Sequence, residues 1–360
     1  MHVYIFTYKS PFSIVPEFVE NELPFWPREY RITIISLAGK QNQYMNKVFN
    51  LPNVDAYAIS AVNTIVFFKI LISFINKEFI NELIRCILYF PSKNIFIRIK
   101  ELLRHEFSKF RYYYGLKRIL CKTENPSERI LFYSYWLGPG SSAAIRMKIK
   151  LRSKIKVDVI SRAHGSDLYQ YAHTSNYLPY LKQNIKKLDL VVPISDHGFN
   201  YLKLLKHTPK IKLARLGIID FNTNNNLPTR NKIFNIISCS YLNSIKQVHF
   251  IIEALSLIDD IPICWRHIGG GPLEKDLENL SSTLLKNKVN IDYKFLRNLT
   301  NQQVISFYQN ENINLFINSS RSEGIPVSFM EANCFGIPVI APDVGGISEI
   351  LKHKYNGILL

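Results

Sequence analysis

Apolar and polar positions alternate along the chain in two periodicities, one typical of buried strands and one typical of helices. In the first half the strand-like runs are HVYIFTY (2–8), RITIIS (31–36), RILFYSYW (129–136), KVDVISRAH (156–164), LVVPIS (190–195) and IKLARLGI (211–218). The helix-like segments are SIVPEFVENEL (13–23), GPGSSAAIRMKIK (138–150) and SDHGFNYLKLL (195–205). Strands and helices that alternate in this way predict an α/β architecture with parallel sheets.

A second α/β series begins at KIFNIISCS (232–240) and continues to the end of the chain. Its later members are the helices QVHFIIEALSLI (247–258), PLEKDLENLSSTLL (272–285) and NQQVISFYQN (301–310), and the strands ICWRHIGG (263–270), NIDYKFL (290–296) and INLFINSS (313–320). The preceding polar stretch, residues 220–231, is rich in Asn with a late Pro and is typical of a linker. We therefore predict two doubly wound domains, residues 1–219 and 232–360, joined by the linker 220–231.

Length and composition agree with this division and add a strong positive charge. The 360 residues are enough for two cores, and 47% apolar with 20% charged residues is ordinary globular composition. The formal net charge of +17 indicates an anionic partner, which charge alone does not divide among nucleic acid, phospholipid and phosphorylated substrates. No nucleic-acid-binding module is recognisable, so nucleic acid is not among the expected partners.

The cysteines and the apolar runs bear on the cellular compartment. The 5 cysteines are scattered and never form a C-x-x-C pair, which predicts reduced thiols of a cytoplasmic protein and no zinc site. The start MHVYIFTYKS lacks the features of a signal peptide. The longest apolar run, residues 64–75, contains Lys69 and is too short to span a bilayer. We expect a soluble or peripheral protein.

One basic segment, residues 93–118, has a helical apolar stripe. It contains eight basic residues and only two acidic ones. The stripe comprises Ile95, Ile99, Leu102, Leu103, Phe110 and Tyr113 or Tyr114. Two interpretations stay open and are compatible: a helix packed on the sheet with a solvated basic face, or a basic amphipathic helix that lies on anionic lipid.

Near the C-terminus, a predicted helix carries a carboxylate on its apolar face. After the strand at 313–320 the chain turns at RSEG, and a helix begins behind Pro326, with Gly336 placed to cap its end. The predicted core-facing stripe comprises Val327, Met330 and Cys334. Glu331 occupies a position in the same stripe, so either it turns its carboxylate to water at the helix edge or it faces a ligand.

A second carboxylate, Glu323, lies in the loop just before this helix. Ligands of open α/β sheets bind at the carboxyl ends of strands, where this loop is expected. A helix N-terminus attracts phosphate, and a carboxylate can accept hydrogen bonds from sugar hydroxyls. A site with both features suits a nucleotide sugar.

Three other loops after predicted strands carry candidate groups. Gly270 is the middle of three glycines that let a backbone approach a ligand closely, or simply form a tight turn. Lys246 precedes a helix and can reach a diphosphate as a point charge, or is a surface lysine. His164 ends a strand and can act as a hydrogen-bonding or acid–base group, or is structural.

Taken together, these segments resemble the retaining, nucleotide-sugar-dependent glycosyltransferases of family 4 (glycosyl transferases group 1), which have the GT-B fold. The resemblance is strongest over residues 234–359. There EGIPVSFME matches the family's E-x7-E motif and is followed by GIPVIAPDVGGISEIL. It extends to SRAHGSDLY (161–169) and VVPISDHGFNYL (191–202). The resemblance implies two Rossmann-like domains that face each other across a cleft, with the acceptor on the N-terminal side and the donor on the C-terminal side.

The resemblance also implies roles for the candidate residues. Those implied to bind the donor are Lys246, Gly270, Gly324, Ile325, Pro326 and Glu331, and those implied to be catalytic are His164 and Glu323. Lys246 would bind the diphosphate, Glu331 the ribose and Glu323 the sugar hydroxyls, while the backbone of 324–326 would contact phosphates and sugar. His164 would lie beneath the donor sugar. The leaving phosphate oxygen would take the acceptor's proton, and neither a metal nor a cofactor is expected.

Three departures from the family pattern are visible. Tyr241 stands five residues before Lys246, where an arginine is common, so Lys246 would need another base to neutralise the phosphates. The first loop has SPFSIVPE in place of a Gly-Gly pair. The sequence stops at YNGILL, where relatives continue, so the C-terminal domain is expected to be incomplete or to close differently.

The implied work is sugar transfer to a lipid-linked saccharide acceptor in surface polysaccharide or lipopolysaccharide biosynthesis, at the cytoplasmic membrane face. The alternatives are a nucleotide-sugar 2-epimerase of the same fold, which would need no second substrate, and a non-catalytic nucleotide-sugar-binding protein. Analysis of the reaction product separates the first alternative, and donor hydrolysis or transfer would exclude the second.

Overall fold

The computed structural model describes residues 1–12, 18–39, 43–46, 48–59, 64–88, 94–122, 129–205, 210–221 and 232–360. The chain divides into two compact units, Met1–Ala214 and Arg215–Leu360. The predicted linker at 220–231 stays a prediction, because all but its first two residues lie outside the described ranges. Within those ranges, no helix has both the length and the apolarity needed to cross a membrane.

The N-terminal unit is built on a sheet of eight strands. These are β1 (His2–Thr7), β2 (Arg31–Ser36), β3 (Tyr44–Met45), β4 (Val54–Ala58), β5 (Arg129–Ser134), β6 (Lys156–Ala163), β7 (Leu190–Pro193) and β8 (Lys210–Ile211). Their order is β3-β4-β2-β1-β5-β6-β7-β8, and every pair is parallel except β3–β4. The order reverses between β1 and β5, so the unit is doubly wound.

The helices of this unit connect the strands. They are α1 (Thr64–Ser73), α2 (Lys77–Leu88), α3 (Ile95–Lys122), α4 (Pro139–Leu151), α5 (Gly165–Leu168), α6 (Leu181–Lys187) and α7 (Asp196–Leu204). Pro139 opens α4, where its fixed φ and missing N–H suit the first helical turn. Parallel strands need both faces covered, which explains why β1 is buried at every position.

Two predicted elements of this unit differ from the structure. The helix expected at 13–23 is replaced, in its described part, by two short 3-10 helices at Val19–Asn21 and Leu23–Phe25. Phe18 has a left-handed φ of 64° and Pro24 has no backbone N–H, so a continuous α-helix cannot form there. The strand expected at 211–218 is limited to Lys210–Ile211.

Helix α3 has buried residues along most of its length, from Arg98 to Ile119, unlike a helix with a continuous solvated basic face. Arg98 and Lys109 are almost fully buried, and Lys109 Nζ lies 2.7 Å from Glu106 Oε2. Tyr112 donates a hydrogen bond to the carbonyl oxygen of Thr7 on β1. One face of α3 is therefore part of the core, and two basic residues that the sequence suggested for a solvated face are buried there.

The C-terminal unit is a second parallel sheet, with helices between its strands. The strands are β9 (Phe234–Cys239), β10 (Ile263–Ile268), β11 (Ile291–Phe295), β12 (Leu315–Ile317), β13 (Val339–Ala341) and β14 (Gly357–Leu359). The helices are α8 (His249–Ser256), α9 (Glu274–Leu285), α10 (Asn301–Asn310), α11 (Val327–Cys334) and α12 (Ile347–Ile350). The strand order β11-β10-β9-β12-β13-β14 reverses between β9 and β12.

Candidate functional site

The reversal of strand order in the C-terminal unit brings two predicted site residues together. β9 and β12 are adjacent parallel strands, with Ile236 and Ile237 opposite Leu315 and Phe316. The loop after β9 carries Lys246 and the loop after β12 carries Glu323. Lys246 Nζ lies 2.5 Å from Glu323 Oε1, and both side chains are largely buried. This is the topological switch point, where doubly wound sheets bind their ligands.

Backbone contacts hold the two loops against each other. The hydroxyl of Ser319 lies 2.9 Å from the carbonyl oxygens of both Lys246 and Gln247 and can donate to either. The amide of Arg321 donates to the carbonyl oxygen of Ile245 at 2.9 Å. Lys246 is therefore positioned by the chain that carries Glu323.

A third loop, between β13 and α12, supports the backbone of the site. Gly346 donates its amide hydrogen to the carbonyl oxygen of Gly324 at 2.9 Å. Gly345 has a φ of +62°, and a Cβ at this position would lie 1.9 Å from the carbonyl oxygen of Glu323. Only glycine fits a contact of this kind, so the close approach depends on Gly345.

Glu331 is buried, as the sequence suggested, but the stripe around it differs from the prediction. The buried side chains of α11 are Val327, Phe329, Glu331 and Ala332. Met330 and Cys334, which were expected in the core, are only partly buried. Phe329 takes the central core position because it packs against Phe316 of β12, with ring centroids 5.5 Å apart. The helix ends as predicted at Gly336, which has a left-handed φ of 71°.

The environment of Glu331 favours its neutral form. Burial raises the pKa of this carboxyl to about 7, although the Nδ2 group of Asn301 donates a hydrogen bond to Oε1 at 2.9 Å and opposes the shift. Burial, with the Glu331 charge as a smaller contribution, raises the pKa of the Cys239 thiol to about 12. A buried carboxylate with one hydrogen-bond donor among the described residues can accept further hydrogen bonds, and donors that reach it would stabilise its charge.

The backbone at 324–326 has fewer donors than its length suggests. Proline has no N–H, so only Gly324 and Ile325 can donate amide hydrogens to a phosphate from this segment. Pro326 is instead the N-cap residue of α11 and has an extended conformation. Its predicted contact with the donor can only be made by its carbonyl group or its ring.

Gly270 lies in a loop that packs tightly on the loop carrying Lys246. Its amide donates to Asn298 Oδ1 at 2.9 Å, so that hydrogen is already engaged within the protein. A Cβ on Gly269 or Gly271 would lie 2.0 or 2.4 Å from the carbonyl oxygens of Ser240 and Leu242, respectively. These contacts explain the glycine run as a close packing of two loops, and a donor contact at Gly270 stays a prediction.

His164 belongs to the N-terminal unit, where it follows β6 directly. Its ring lies 4.2 Å from that of Trp136, centroid to centroid, and its own amide donates to the Asp167 carboxylate. Nδ1 is 3.5 Å from Asp167 Oδ2. Both ring nitrogens of His164 are buried and have no hydrogen-bond partner among the described residues. Buried polar atoms are normally paired, and Nδ1 faces the Asp167 carboxylate, so Nε2 is the candidate for contact with a ligand.

A cavity of about 310 Å³ lies beside this histidine, at the carboxyl ends of β1, β5 and β6. Tyr8, Trp136 and Asp167 line it, with the N-terminal residues of α4. Helix α3 contributes Glu101, Arg104, His105 and Ser108 to its lining. Aromatic rings with convergent polar groups of this kind suit a saccharide or another polar ligand.

Several residues that shape the site were not among those predicted. Asn301 contacts Glu331, Ser319 contacts Lys246, and Gly345 contacts Glu323. Each of these contacts joins residues that are far apart in the sequence. The glycine pair in DVGG was a visible signal of a special backbone conformation. Asn301 and Ser319 carried no such signal, because single polar residues after strands are common.

Comparison with known proteins gives a family for the C-terminal part of the chain. Residues 221–360 match the model of the family described as Glycosyl transferases group 1. The chain is 26% identical over 253 residues to the putative colanic acid biosynthesis glycosyltransferase WcaL of Salmonella typhimurium, covering 68% of this chain and 61% of that protein. It is 26% identical over 258 residues to the amylovoran biosynthesis glycosyltransferase AmsK of Erwinia amylovora, covering 68% and 60%, respectively. These matches span about three fifths of the two relatives.

Solved structures show the same fold over the whole chain. Sucrose-phosphate synthase from Thermosynechococcus elongatus superposes with a TM-score of 0.66 at 14% identity, covering 100% of this chain and 85% of the other. Anabaena Alr3699/HepE, in complex with UDP and glucose, superposes with a TM-score of 0.60 at 14% identity and the same coverage. The expected GT-B architecture of two parallel-sheet, Rossmann-like domains is confirmed. The chain thus has the GT-B fold, and its residues 221–360 are similar to the glycosyl transferases group 1 family.

Proposed function

We propose that this protein is a retaining, nucleotide-sugar-dependent hexosyltransferase of family 4. It would move a sugar to a lipid-linked saccharide acceptor during surface polysaccharide or lipopolysaccharide biosynthesis. The observation that carries the proposal is the Lys246–Glu323 pair, 2.5 Å apart at the switch point of the C-terminal unit. An ammonium and a carboxylate side by side offer one group for a diphosphate and one for sugar hydroxyls.

The diphosphate would bind at Lys246. Its ammonium has three donors, so it can keep its contact with Glu323 and still donate to phosphate oxygens. The amides of Gly324 and Ile325 would add donors at the start of α11. Arg321 is exposed, and its amide donates a hydrogen bond to Ile245, the residue before Lys246. It is therefore our candidate for the second basic residue that would neutralise the phosphates, since Tyr241 stands where an arginine is common.

The nucleoside and the sugar would contact different carboxylates. Glu331 lies inside the unit and would accept hydrogen bonds from the ribose hydroxyls, which stabilise the charged form that burial disfavours. Glu323 would hold hydroxyls of the sugar. In the N-terminal unit, the ring nitrogen Nε2, which has no hydrogen-bond partner among the described residues, makes His164 the proposed contact to the donor sugar. The cavity beside it would take the saccharide part of the acceptor.

In the proposed reaction, the bond between the sugar's anomeric carbon and the diphosphate oxygen breaks. A bond from the same carbon to an acceptor oxygen forms on the same face of the sugar. The acceptor's proton passes to the phosphate oxygen that leaves. Lys246 and the amides of the α11 N-terminus would stabilise the negative charge that develops there, and no metal is needed in this scheme.

Two of the matched relatives support the polysaccharide setting. WcaL and AmsK are named for the biosynthesis of colanic acid and amylovoran. By this analogy we place the protein at the cytoplasmic face of the membrane, where a lipid-linked acceptor would be presented. The net charge of +17 suits an acceptor that carries phosphate.

Ligand-dependent stabilisation tests the proposal first. Purified protein is heated with common nucleoside diphosphates and nucleotide sugars. Those with the correct nucleobase are expected to raise the Tm, because they bind only the folded state. Lys246→Ala should lose that shift, and Lys275→Ala, an exposed lysine of the same unit, should keep it. Analysis of the product then separates transfer from 2-epimerisation. Absence of any stabilising nucleotide would contradict the proposal.

A further inference from the structure

Helix α2 has apolar side chains on both of its faces. Phe79 and Cys86 point into the unit and are buried. On the opposite face Ile80, Ile84, Ile87 and Leu88 are 41%, 46%, 42% and 72% exposed. Their spacing of four, three and one residues places them in a single stripe along the helix. A helix of a soluble protein normally places polar residues there, so this exposed stripe calls for a partner.

The neighbouring helices extend the exposed apolar surface. α1 and α2 both pack against α3. The exposed apolar residues of α1 and of the turn after it are Phe67, Phe68, Leu71, Ile72 and Ile75. Those of the first turns of α3 are Phe96, Ile97 and Leu103. We refer to these residues and the α2 stripe as the apolar docking surface.

The exposed charges around this surface are all positive. Among the side chains that the structure describes in residues 64–104, the exposed charged ones are Lys77, Lys100 and Arg104. The three acids of the same region are engaged elsewhere. Glu78 pairs with Lys187, Glu82 accepts a hydrogen bond from Tyr177, and Glu101 accepts one from Ser175. A partner for this surface must therefore accept apolar side chains and carry negative charge.

We propose that the apolar docking surface binds an anionic lipid bilayer. Hydrocarbon accepts the isoleucine, leucine and phenylalanine side chains, and phosphate headgroups bind Lys77, Lys100 and Arg104 at its edge. A second copy of the chain related by a two-fold axis would instead bring like charges toward each other. The surface therefore differs from the one predicted along residues 93–118: it lies on α1, α2 and only the first turns of α3.

Helix α3 links the apolar docking surface to the cavity of the N-terminal unit. Arg104 belongs to both, because it is exposed at the edge of the surface and also lines the cavity. Glu101 and His105 line the cavity from the adjacent turns of α3. A lipid-linked acceptor could keep its lipid in the bilayer while its headgroup enters the cavity. This last step rests on the proposed function, whereas binding to the bilayer does not.

Co-sedimentation with vesicles tests the inference on the full chain. The protein should bind vesicles that contain phosphatidylglycerol and not vesicles of phosphatidylcholine alone. Binding should fall at ~1 M salt, where the screening length is about 3 Å. Leu88→Gln should weaken binding about tenfold by removing one apolar contact with the bilayer. Its matched control is Leu257→Gln, an exposed leucine (81%, against 72% for Leu88) just after helix α8 of the other unit, which should bind like the wild type.

A second pair of variants tests the charges. Lys100→Gln should weaken binding about fivefold, since each basic residue near an anionic surface increases the affinity by about this factor. Lys117→Gln, toward the other end of the same helix and also exposed, is its control and should change little.

Three results would overturn the inference: equal binding to neutral vesicles, no binding at all, or a dimer of the wild type that Leu88→Gln dissociates. Stabilisation by a nucleotide, measured on the same variants, should be unchanged. A wild type that binds vesicles but no nucleotide would contradict the proposed function and leave this inference supported.

Discussion

The carbonyl oxygen of Glu323 occupies the space that a side chain at Gly345 would need. The Cβ–oxygen distance would be 1.9 Å, far inside van der Waals contact, and the φ of Gly345 is +62°. Gly336 has a similar φ of +71° but no atom within 4 Å of its Cβ position. A comparison of Gly345 with Gly336 therefore separates the effect of the left-handed backbone conformation from the effect of the contact with Glu323.

Gly336→Ala should therefore lose about 1 kcal/mol of stability, the typical cost of a left-handed alanine. Gly345→Ala should lose more and should also weaken nucleotide binding, because the loop with Glu323 must move. Chemical denaturation and calorimetry with the stabilising nucleotide measure the two effects. Equal nucleotide affinity in both variants would show that the contact does not position the site.

Lys246→Ala should weaken nucleoside diphosphate binding by about 1.5–3 kcal/mol, the range for hydrogen bonds to charged groups. It should also destabilise the protein, since Glu323 is largely buried and would lose its ion-pair partner. Combining it with Glu323→Gln should recover part of the stability but not the affinity. Unchanged affinity in a folded Lys246→Ala variant would exclude Lys246 from the donor site.

The two carboxylates should respond differently to the same substitution. Glu323→Gln should lower kcat with a modest effect on donor affinity, because the sugar changes charge and geometry during transfer. Glu331→Gln should mainly raise the donor KM, because the ribose does not change. Steady-state kinetics on variants shown to be folded by circular dichroism give both numbers. Full activity in both variants would place the site elsewhere.

Glu331 should also make stability depend on pH. Its folded pKa of about 7 lies above the usual value of 4.5, so the folded protein binds more protons than the unfolded chain between these values. The contribution of Glu331 therefore falls as pH rises from 4.5 to 7 and stays low above 7. Glu331→Gln should gain stability relative to the wild type between pH 5 and pH 8, by at most about 3 kcal/mol. Denaturation curves at pH 5 and pH 8 measure the free energy of unfolding of both proteins. The same change with pH in the variant and the wild type would contradict the prediction.

Local patterns predicted the elements that local interactions decide. Helix α10 begins and ends where the sequence indicated, and its capping box between Thr300 and Gln303 is formed by residues three apart. The apolar runs of β1, β2 and β9 were equally clear. Strand β4 was missed because VDAYA is short and alternates, as a strand near the sheet edge does.

What the sequence did not show are features that depend on distant partners. Helix α2 was not predicted, and Glu82 within it is buried because Tyr177 and Gln183 donate hydrogen bonds to it from far along the chain. The buried position of Glu331 was one of two alternatives that its spacing left open, and Phe329 displaced Met330 from the core because of Phe316 on β12. Sequence periodicity identifies a face of a helix to within about one residue, and tertiary packing decides which side chain fills it.

The strand order of the C-terminal unit also constrains how the site forms during synthesis. Lys246 and Glu323 are 77 positions apart, and the chain makes three helical crossovers, through α8, α9 and α10, before β12 can pair with β9. A nascent chain that ends before β12 already has the loop with Lys246, but it lacks Glu323 and also Ser319, which contacts the carbonyl oxygen of Lys246. If the proposed function is correct, nucleotide binding can begin only when the last third of the unit has emerged and docked. The first moment at which a ribosome-bound chain retains nucleotide would mark the completion of this long-range pairing.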